Sequence, residues 1–297
     1  MPPPAGFSVA RLFVALQYLL PHHPLGRIVH ALTRARSVWL KDGLIRAFVR
    51  RYRPRIAEAF EPDPRRYPSF NAFFTRALAV GARPIDPDGA RVLSPCDGVV
   101  SYAGTLDDAA LLQAKGHRYS LDALLAGAPD WSSRLRGGSY ATLYLAPRDY
   151  HRVHMPLGGQ LQAAWHVPGR LFSVNAATVE RVPGLFARNE RLLCAFEGDR
   201  GAFIVVLVGA LFVGSMSSIW HGEVTPWRRS AGTGTGTVHP LHPSTDADLW
   251  QPRGAELGRF NMGSTVIVLL PPGLAAWDAG LVPGAPVRVG QGIGTLR

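Results

Sequence analysis

The sequence predicts an α+β protein in which basic N-terminal helices precede a mainly antiparallel β region with few short helices. Two observations carry that prediction. The first is a helical apolar pattern at the front of the chain, laced with arginine. The second is a succession of short apolar runs from Val92 onward, separated by Gly, Pro and Asp turns. No repeat of about 20–50 residues is present, which argues against a solenoid or propeller. The pattern breaks at Arg83-Pro84-Ile85-Asp86-Pro87, so the expected regions are 1–80 and 81–297. With 47% apolar and 18% charged residues, the chain is globular in character. Cys96 and Cys194 are its only cysteines, too few for a disulfide framework or a CxxC metal site.

Residues 7–20 form the first helical pattern, ended by Pro21. It is interrupted by Arg11 and falls short of the ~20 apolar residues that span a bilayer. It suits a helix lying in the interface, with nearby arginines on anionic head groups. Of the net charge of +11, +8 resides in residues 1–60, where ten basic residues face only Asp42 and Glu58. Such charge seeks anionic lipid or nucleic acid; solvated helix faces are the plain alternative. The charged n-region and cleavage site of a signal peptide are missing, although the acid-free stretch 1–41 loosely resembles a mitochondrial presequence. Basic helix continues over 27–60. Ser69 then caps a helix reaching Leu78, with Phe70, Phe73 and Phe74 as its apolar stripe.

Strands are expected at Val99–Tyr102, Tyr140–Leu145, Gln160–His166, Leu192–Phe196, Phe203–Val208, Val266–Leu270 and Val287–Val289. A short helix is expected at Ser120–Ala126, capped by Ser120. Residues 231–247, with alternating Gly and Thr over 232–237, read as a low-complexity loop.

Chemistry concentrates at three places. Gly263-Ser264-Thr265 stands directly before the apolar run 266–270. A turn entering a strand explains three such residues. The reactive alternative is a self-cleaving bond, in which the Ser264 hydroxyl attacks the Gly263 carbonyl if the backbone is strained and a base takes the proton. His151 and His154 lie in Tyr150-His151-Arg152-Val153-His154. The H-E-x-x-H zinc pattern is absent, and no metal is assigned. Two near-neutral imidazoles suit two proton-transfer tasks, against the plain alternative of hydrogen-bonded surface histidines. Asp97, in Cys96-Asp97-Gly98, reads alone as a turn. With His154 and Ser264 it completes an acid–His–Ser set. These residues leave three readings open: a self-processing enzyme, a serine hydrolase using Asp97, His154 and Ser264 on an external substrate, or an uncleaved membrane-binding protein without catalysis. The absence of a G-x-S-x-G elbow around Ser264 weighs against the hydrolase.

Taken in order along the chain, several blocks resemble one family. They are Phe73-Phe74-Thr75-Arg76, Arg83-Pro84-Ile85, residues 94–98, 144–156, 168–175 and 185–191, Val208-Gly209-Ala210, Val213-Gly214-Ser215 and residues 258–265. The family is that of the phosphatidylserine decarboxylase proenzymes, which are self-cleaving and pyruvoyl-dependent, and the resemblance covers nearly the whole chain. Met262 stands where the family's processing motif usually has Leu, a swap of similar size and polarity. Met216-Ser217 stands where an acidic residue is usual, and the stretch after Pro226 diverges most.

The resemblance implies that Asp97 orients His154, that His154 deprotonates Ser264, and that Ser264 attacks the Gly263 carbonyl. The ester so formed eliminates, and hydrolysis of the dehydroalanine leaves a pyruvoyl group and ammonia. The implied products are a large chain, 1–263, and a pyruvoyl-blocked small chain, 264–297. The substrate amine is then implied to form a Schiff base with the pyruvoyl group, which takes up the electrons released with CO₂ as pyridoxal phosphate does elsewhere. Pyridoxal phosphate would need a lysine, and only Lys41 and Lys115 exist. The histidine matching His151 is linked to the decarboxylation step. Implied partners are a phospholipid substrate, an anionic membrane surface and the two chains of one proenzyme, with further self-assembly left open and no nucleic acid. The implied location is peripheral, on the cytoplasmic side of the cell membrane, with the mitochondrial inner membrane as the alternative. Arg170, Arg188 and Arg191, in matching blocks, are candidate ligands of the head-group phosphate.

Overall fold

The structure, a computed structural model, describes residues 9–107, 110–113, 116–211, 215–225, 239–241 and 249–297. The Gly-Thr run 232–237, Lys115 and the motif residues Val213 and Gly214 lie outside the described residues.

Helices gather at the front of the chain: α1 (Val9–Leu19), α2 (His22–Arg34), α3 (Val38–Tyr52) and the short α4 (Phe70–Phe74). In α1 the buried face carries Val14 and Gln17, which are one turn apart. The Gln17 side chain accepts the Ser173 N–H at 2.7 Å and donates to Thr178 Oγ1 at 3.3 Å, so the helix is bolted to the body. Its other face leaves Leu12, Phe13, Leu16 and Leu19 exposed, and Ile28, Leu32, Val38 and Trp39 continue that exposure along α2 and α3. Among the described residues, no helix is long and apolar enough to cross a membrane.

The basic helix expected over 27–60 is two helices. It breaks at 35–37, and α3 stops where Arg53 takes a left-handed φ of +50° just ahead of Pro54. The helix expected to reach Leu78 ends at Phe74, although Ser69 caps it as expected, its hydroxyl accepting the Ala72 N–H at 3.1 Å. The cause is tertiary. Residues 77–79 run extended beside 58–60, with Phe60 N–H to Ala77 O at 3.0 Å and Ala79 N–H to Glu58 O at 2.9 Å. Phe70, Phe73 and Phe74 bury against Ile45, Phe48 and Tyr67 in a small aromatic core of their own.

The remainder is antiparallel β, as the sequence predicts. The strand order of the main sheet is His239–Pro240, Gly159–Val167, Arg191–Gly198, Gly201–Val208, Ser264–Leu270, Ser139–Leu145, Gly98–Thr105 and Pro286–Val287. Each expected strand is found there, most of them longer by a residue or two, while the last stops at Val287. The short helix is Leu121–Leu125, with Ser120 as its cap. A second, four-stranded sheet runs Gly222–Val224, Met216–Ser218, Glu256–Phe260 and Arg152–His154.

The aromatic core is small, so each ring in it matters. Phe73→Ala removes a fully buried ring that meets Phe48 and Tyr67 edge-on. The expected loss of stability is about 3–5 kcal/mol, read from the urea unfolding midpoint.

Candidate active site

Two sheets meet at Gly263. The chain leaves the second sheet at Phe260, turns through 261–263 and enters the main sheet at Ser264. A second crossing, from Leu145 to Arg152, joins the same two sheets. Register fixes the two crossings side by side: Ser264 faces Leu145, and the Phe260 N–H donates to the His151 carbonyl at 3.0 Å. The sequence separation between Ser264 and the histidines therefore closes through sheet pairing.

Ser264 is fully buried and its Oγ has no hydrogen-bond partner. His151 is also fully buried. Its Nδ1–H donates to the Asp149 carbonyl at 2.8 Å, which leaves Nε2 as the unprotonated nitrogen, and Nε2 too lacks a partner. A Cβ placed on Gly263 would lie 3.8 Å from His151 Nε2 and 4.0 Å from the Leu145 carbonyl. The open imidazole nitrogen thus faces the peptide unit of interest. Burial drives the His151 pKa down to about 3, so the ring is neutral at ordinary pH. Phe74 packs on it with ring centroids 4.1 Å apart. Gly263 is not among the glycines with positive φ, so the strain that the cleavage reading asks for does not reside in that angle.

His154 lies in the Arg152–His154 strand of the second sheet. Its Nδ1–H donates to the Gly254 carbonyl at 2.8 Å, and its Nε2 accepts the Tyr150 hydroxyl at 3.2 Å. Burial, the largest influence, lowers its pKa as well. Asp97 is buried, but its carboxylate does not bond His154. It accepts from Arg83 Nε at 2.8 Å, from Arg83 Nη2 and from the Val289 N–H at 3.0 Å. Gly98 beside it must lack a side chain, since a Cβ there would lie 2.2 Å from the Tyr144 carbonyl oxygen. The structure therefore brings His151 to Gly263, the residue before Ser264, and holds Asp97 and His154 in bonds to other partners.

A cavity of about 170 Å³ opens onto Gly263 and Ser264. Phe48 and Tyr52 of α3, with Phe74, Tyr144 and Met262, give it an apolar wall. Among the described residues, no cluster of three or more His, Cys, Asp or Glu could hold a metal ion.

The phosphate candidates fare unequally. Arg191 is buried and its guanidinium donates to the carbonyls of Leu124, Ala123, Ala187 and Asn189 at 2.6–3.0 Å, so it is a structural strut. Arg188 lies over the rings of Tyr18 and Phe172, and Arg170 is exposed. Lys41 is likewise structural, buried and bonded to Asp42 Oδ1 at 2.6 Å and the Arg65 carbonyl at 2.8 Å.

A family profile described as phosphatidylserine decarboxylase matches residues 70–295, and one described as PSD matches residues 12–53. A phosphatidylserine decarboxylase proenzyme of Methylococcus capsulatus is 49% identical over 287 residues, covering 97% of each chain. Those of Pseudomonas fluorescens and Azotobacter vinelandii are 48% and 47% identical, covering 96% of this chain and 97% and 98% of their own. The chain belongs to the phosphatidylserine decarboxylase family.

Within that family site, sequence reasoning missed three contributors. Arg83 clamps Asp97, Tyr150 occupies His154, and Phe74 lies against His151. Arg83, Phe74 and Tyr150 all stand in blocks that resemble the family, which was the available signal, yet no local spacing pairs them with their partners. A polar network was also hidden. Asn261, two residues before Gly263, donates to Ser215 Oγ at 2.6 Å, and Arg34 of α2 reaches the same hydroxyl at 3.0 Å.

The depressed His151 pKa has a sign that stability can test. The unfolded imidazole, with pKa near 6.5, takes up a proton that the folded one refuses. Its contribution is complete above about pH 6.5 and is lost as pH falls toward about 3. His151→Gln should flatten that part of the stability–pH curve, measured as urea midpoints over a pH series.

Proposed function

We propose that this chain is a self-processing, pyruvoyl-dependent decarboxylase that converts phosphatidylserine to phosphatidylethanolamine. The observation that carries the reading is the buried, unpartnered Ser264 hydroxyl at the start of a central strand, with the open Nε2 of His151 facing Gly263. A buried serine hydroxyl with no competing partner, next to the carbonyl of the preceding residue and in a site that holds neutral imidazoles, is suited to attack on its own backbone. The names of the relatives support the same substrate and a precursor state.

Ser264 Oγ attacks the Gly263 carbonyl carbon. A C–O bond forms as the C–N bond breaks, and the hydroxyl proton passes through the base to the released amine. A base then takes the Cα proton of residue 264, elimination across Cα–Cβ frees the carboxylate of residue 263, and water converts the dehydroalanine left behind to a pyruvoyl group with release of ammonia. His154 is the base for this stage, with Asp97 as its acidic partner. Its tautomer is already correct, with Nδ1 protonated and Nε2 open to a donor, and the Tyr150 hydroxyl is the donor that Ser264 must replace.

His151 serves turnover. Release of Gly263 opens the place that its Nε2 faces, and the substrate carboxylate enters there. A nearby anion favours the imidazolium, so His151 takes up a proton and delivers it to the carbon that loses CO₂. The pyruvoyl group made from Ser264 supplies the electron sink for that loss.

Residues 1–80 form the membrane-associating region and 81–297 the catalytic region. Exposed Leu12, Leu16, Leu19, Ile28 and Trp39 suit an interfacial seat on the cytoplasmic side of the cell membrane. Because Phe48 and Tyr52 belong to α3 and also wall the Ser264 cavity, a lipid drawn from that surface meets the site without crossing water.

Intact mass and CO₂ release test the reading together. Wild type should give two chains divided at 263/264, and Ser264→Ala a single inactive chain. His154→Ala should remain uncut. His151→Ala should be cut but lose about 10²–10⁴-fold in decarboxylation. An uncut His151→Ala chain would move the base role to His151, and an uncut, serine-bearing wild type would remove the proposed function.

A further inference from the structure

A second cavity, of about 60 Å³, opens beside Asp97 and shares no lining residue with the Ser264 cavity. Five arginines line it: Arg53, Arg55, Arg76, Arg83 and Arg148. Three acids also line it, but they do not balance the charge. Asp97 and Glu58 are both taken by Arg83, Glu58 at 2.8 Å. Asp149 accepts the Ala146 N–H at 2.8 Å and lies 3.9 Å from Arg148 Nε, a long ion pair, and burial raises its pKa.

Arg76 is the informative residue. Only 3% of it is exposed, and its Nε and Nη1 have no hydrogen-bond partner. Burial pulls its pKa down, and the Phe73 ring lies 5.5 Å from the guanidinium carbon. A cation–π contact offsets part of the lost hydration but leaves the in-plane N–H groups unused. An unpaired buried charge is costly, so a guanidinium with idle donors in a cation-rich recess marks a place for an anion.

Shape narrows the class. The planar fork of Arg matches the oxygens of a tetrahedral oxyanion, to which it makes short, charge-assisted bonds. A cavity of about 60 Å³ has room for a group of that size but not for a whole lipid. Arg53, Arg55 and Arg148 are exposed, so the rest of a larger ligand can remain outside.

We infer that this cavity is a second ligand site, which binds a phosphate group through Arg76, with Arg53, Arg55 and Arg148 gathering the anion. The phosphate can come from free phosphate or from a phosphodiester head group. The cavity borders the proposed machinery at Asp97 and Tyr150, but its test reads binding and not turnover, so the two proposals fail separately.

The experiment is calorimetric titration of the purified full-length protein at constant ionic strength, first with inorganic phosphate and then with glycerophosphoglycerol, a water-soluble phosphodiester. One saturable phosphate per chain is expected. Arg55→Gln with Arg148→Gln, both at exposed positions, should weaken it by about tenfold or more. Arg76→Gln should abolish it. Diester binding as tight as that of phosphate assigns the site to a lipid head group, and binding of inorganic phosphate alone assigns it to the free ion. No saturable binding of either anion overturns the inference. So does binding unchanged in the exposed double variant, which decides the matter even if Arg76→Gln fails to fold.

Discussion

The strand Ser264–Leu270 is the constraint on which the rest depends. Every one of its residues is buried, and both of its edges are paired, one with Ser139–Leu145 and the other with Gly201–Val208. A central strand with a closed register cannot slip, because a shift of one residue would turn every side chain to the opposite face. The bond ahead of Ser264 is therefore placed by a long ladder of backbone hydrogen bonds. The same ladder ends the neighbouring strand at Leu145, which sends the following crossing past Gly263 and sets His151 against it.

Burial then decides the state of each polar group. His151 and His154 are both held neutral by desolvation, each with its Nδ1–H on a backbone carbonyl. Asp97 has a choice of partners in such a place. A guanidinium adds its own charge to the hydrogen bond, and Arg83 offers two nitrogens in a fixed fork. The arginine wins. Asp97 therefore reaches the imidazoles through its field, which favours protonation of both rings, and not through a hydrogen bond.

Much of the fold was legible, for physical reasons that also explain what was not. Tyr140–Leu145 and Phe203–Val208 lie in a sheet buried on both faces, so they read as nearly unbroken apolar runs. Ser69 and Ser120 announced their helices because a capping hydroxyl works locally. The end of α4 was hidden, since it depends on residues 58–60 pairing with 77–79. Arg191 looked like an anion ligand from its neighbours in sequence, and only the fold reveals four carbonyls around it. Ser264, His151, His154 and Asp97 stood out by residue type. Which of them touch is a matter of register between strands far apart in sequence, and no local pattern records it.

The proposed cut at 263/264 falls where three of the four strands that follow pair with strands that precede it. Ser264–Leu270 lies between two strands of the large part, Pro286–Val287 pairs with Gly98 and Val99, and Gly292–Leu296 pairs with Arg91–Leu93. The proposed cut at 263/264 would break one covalent link and none of these ladders. A cut within an exposed loop would leave the new terminus free to fray. A cut at the first residue of a buried central strand would leave it fixed, so the group proposed to form from Ser264 would keep the position that the sheet gave the serine, next to the place that His151 Nε2 faces.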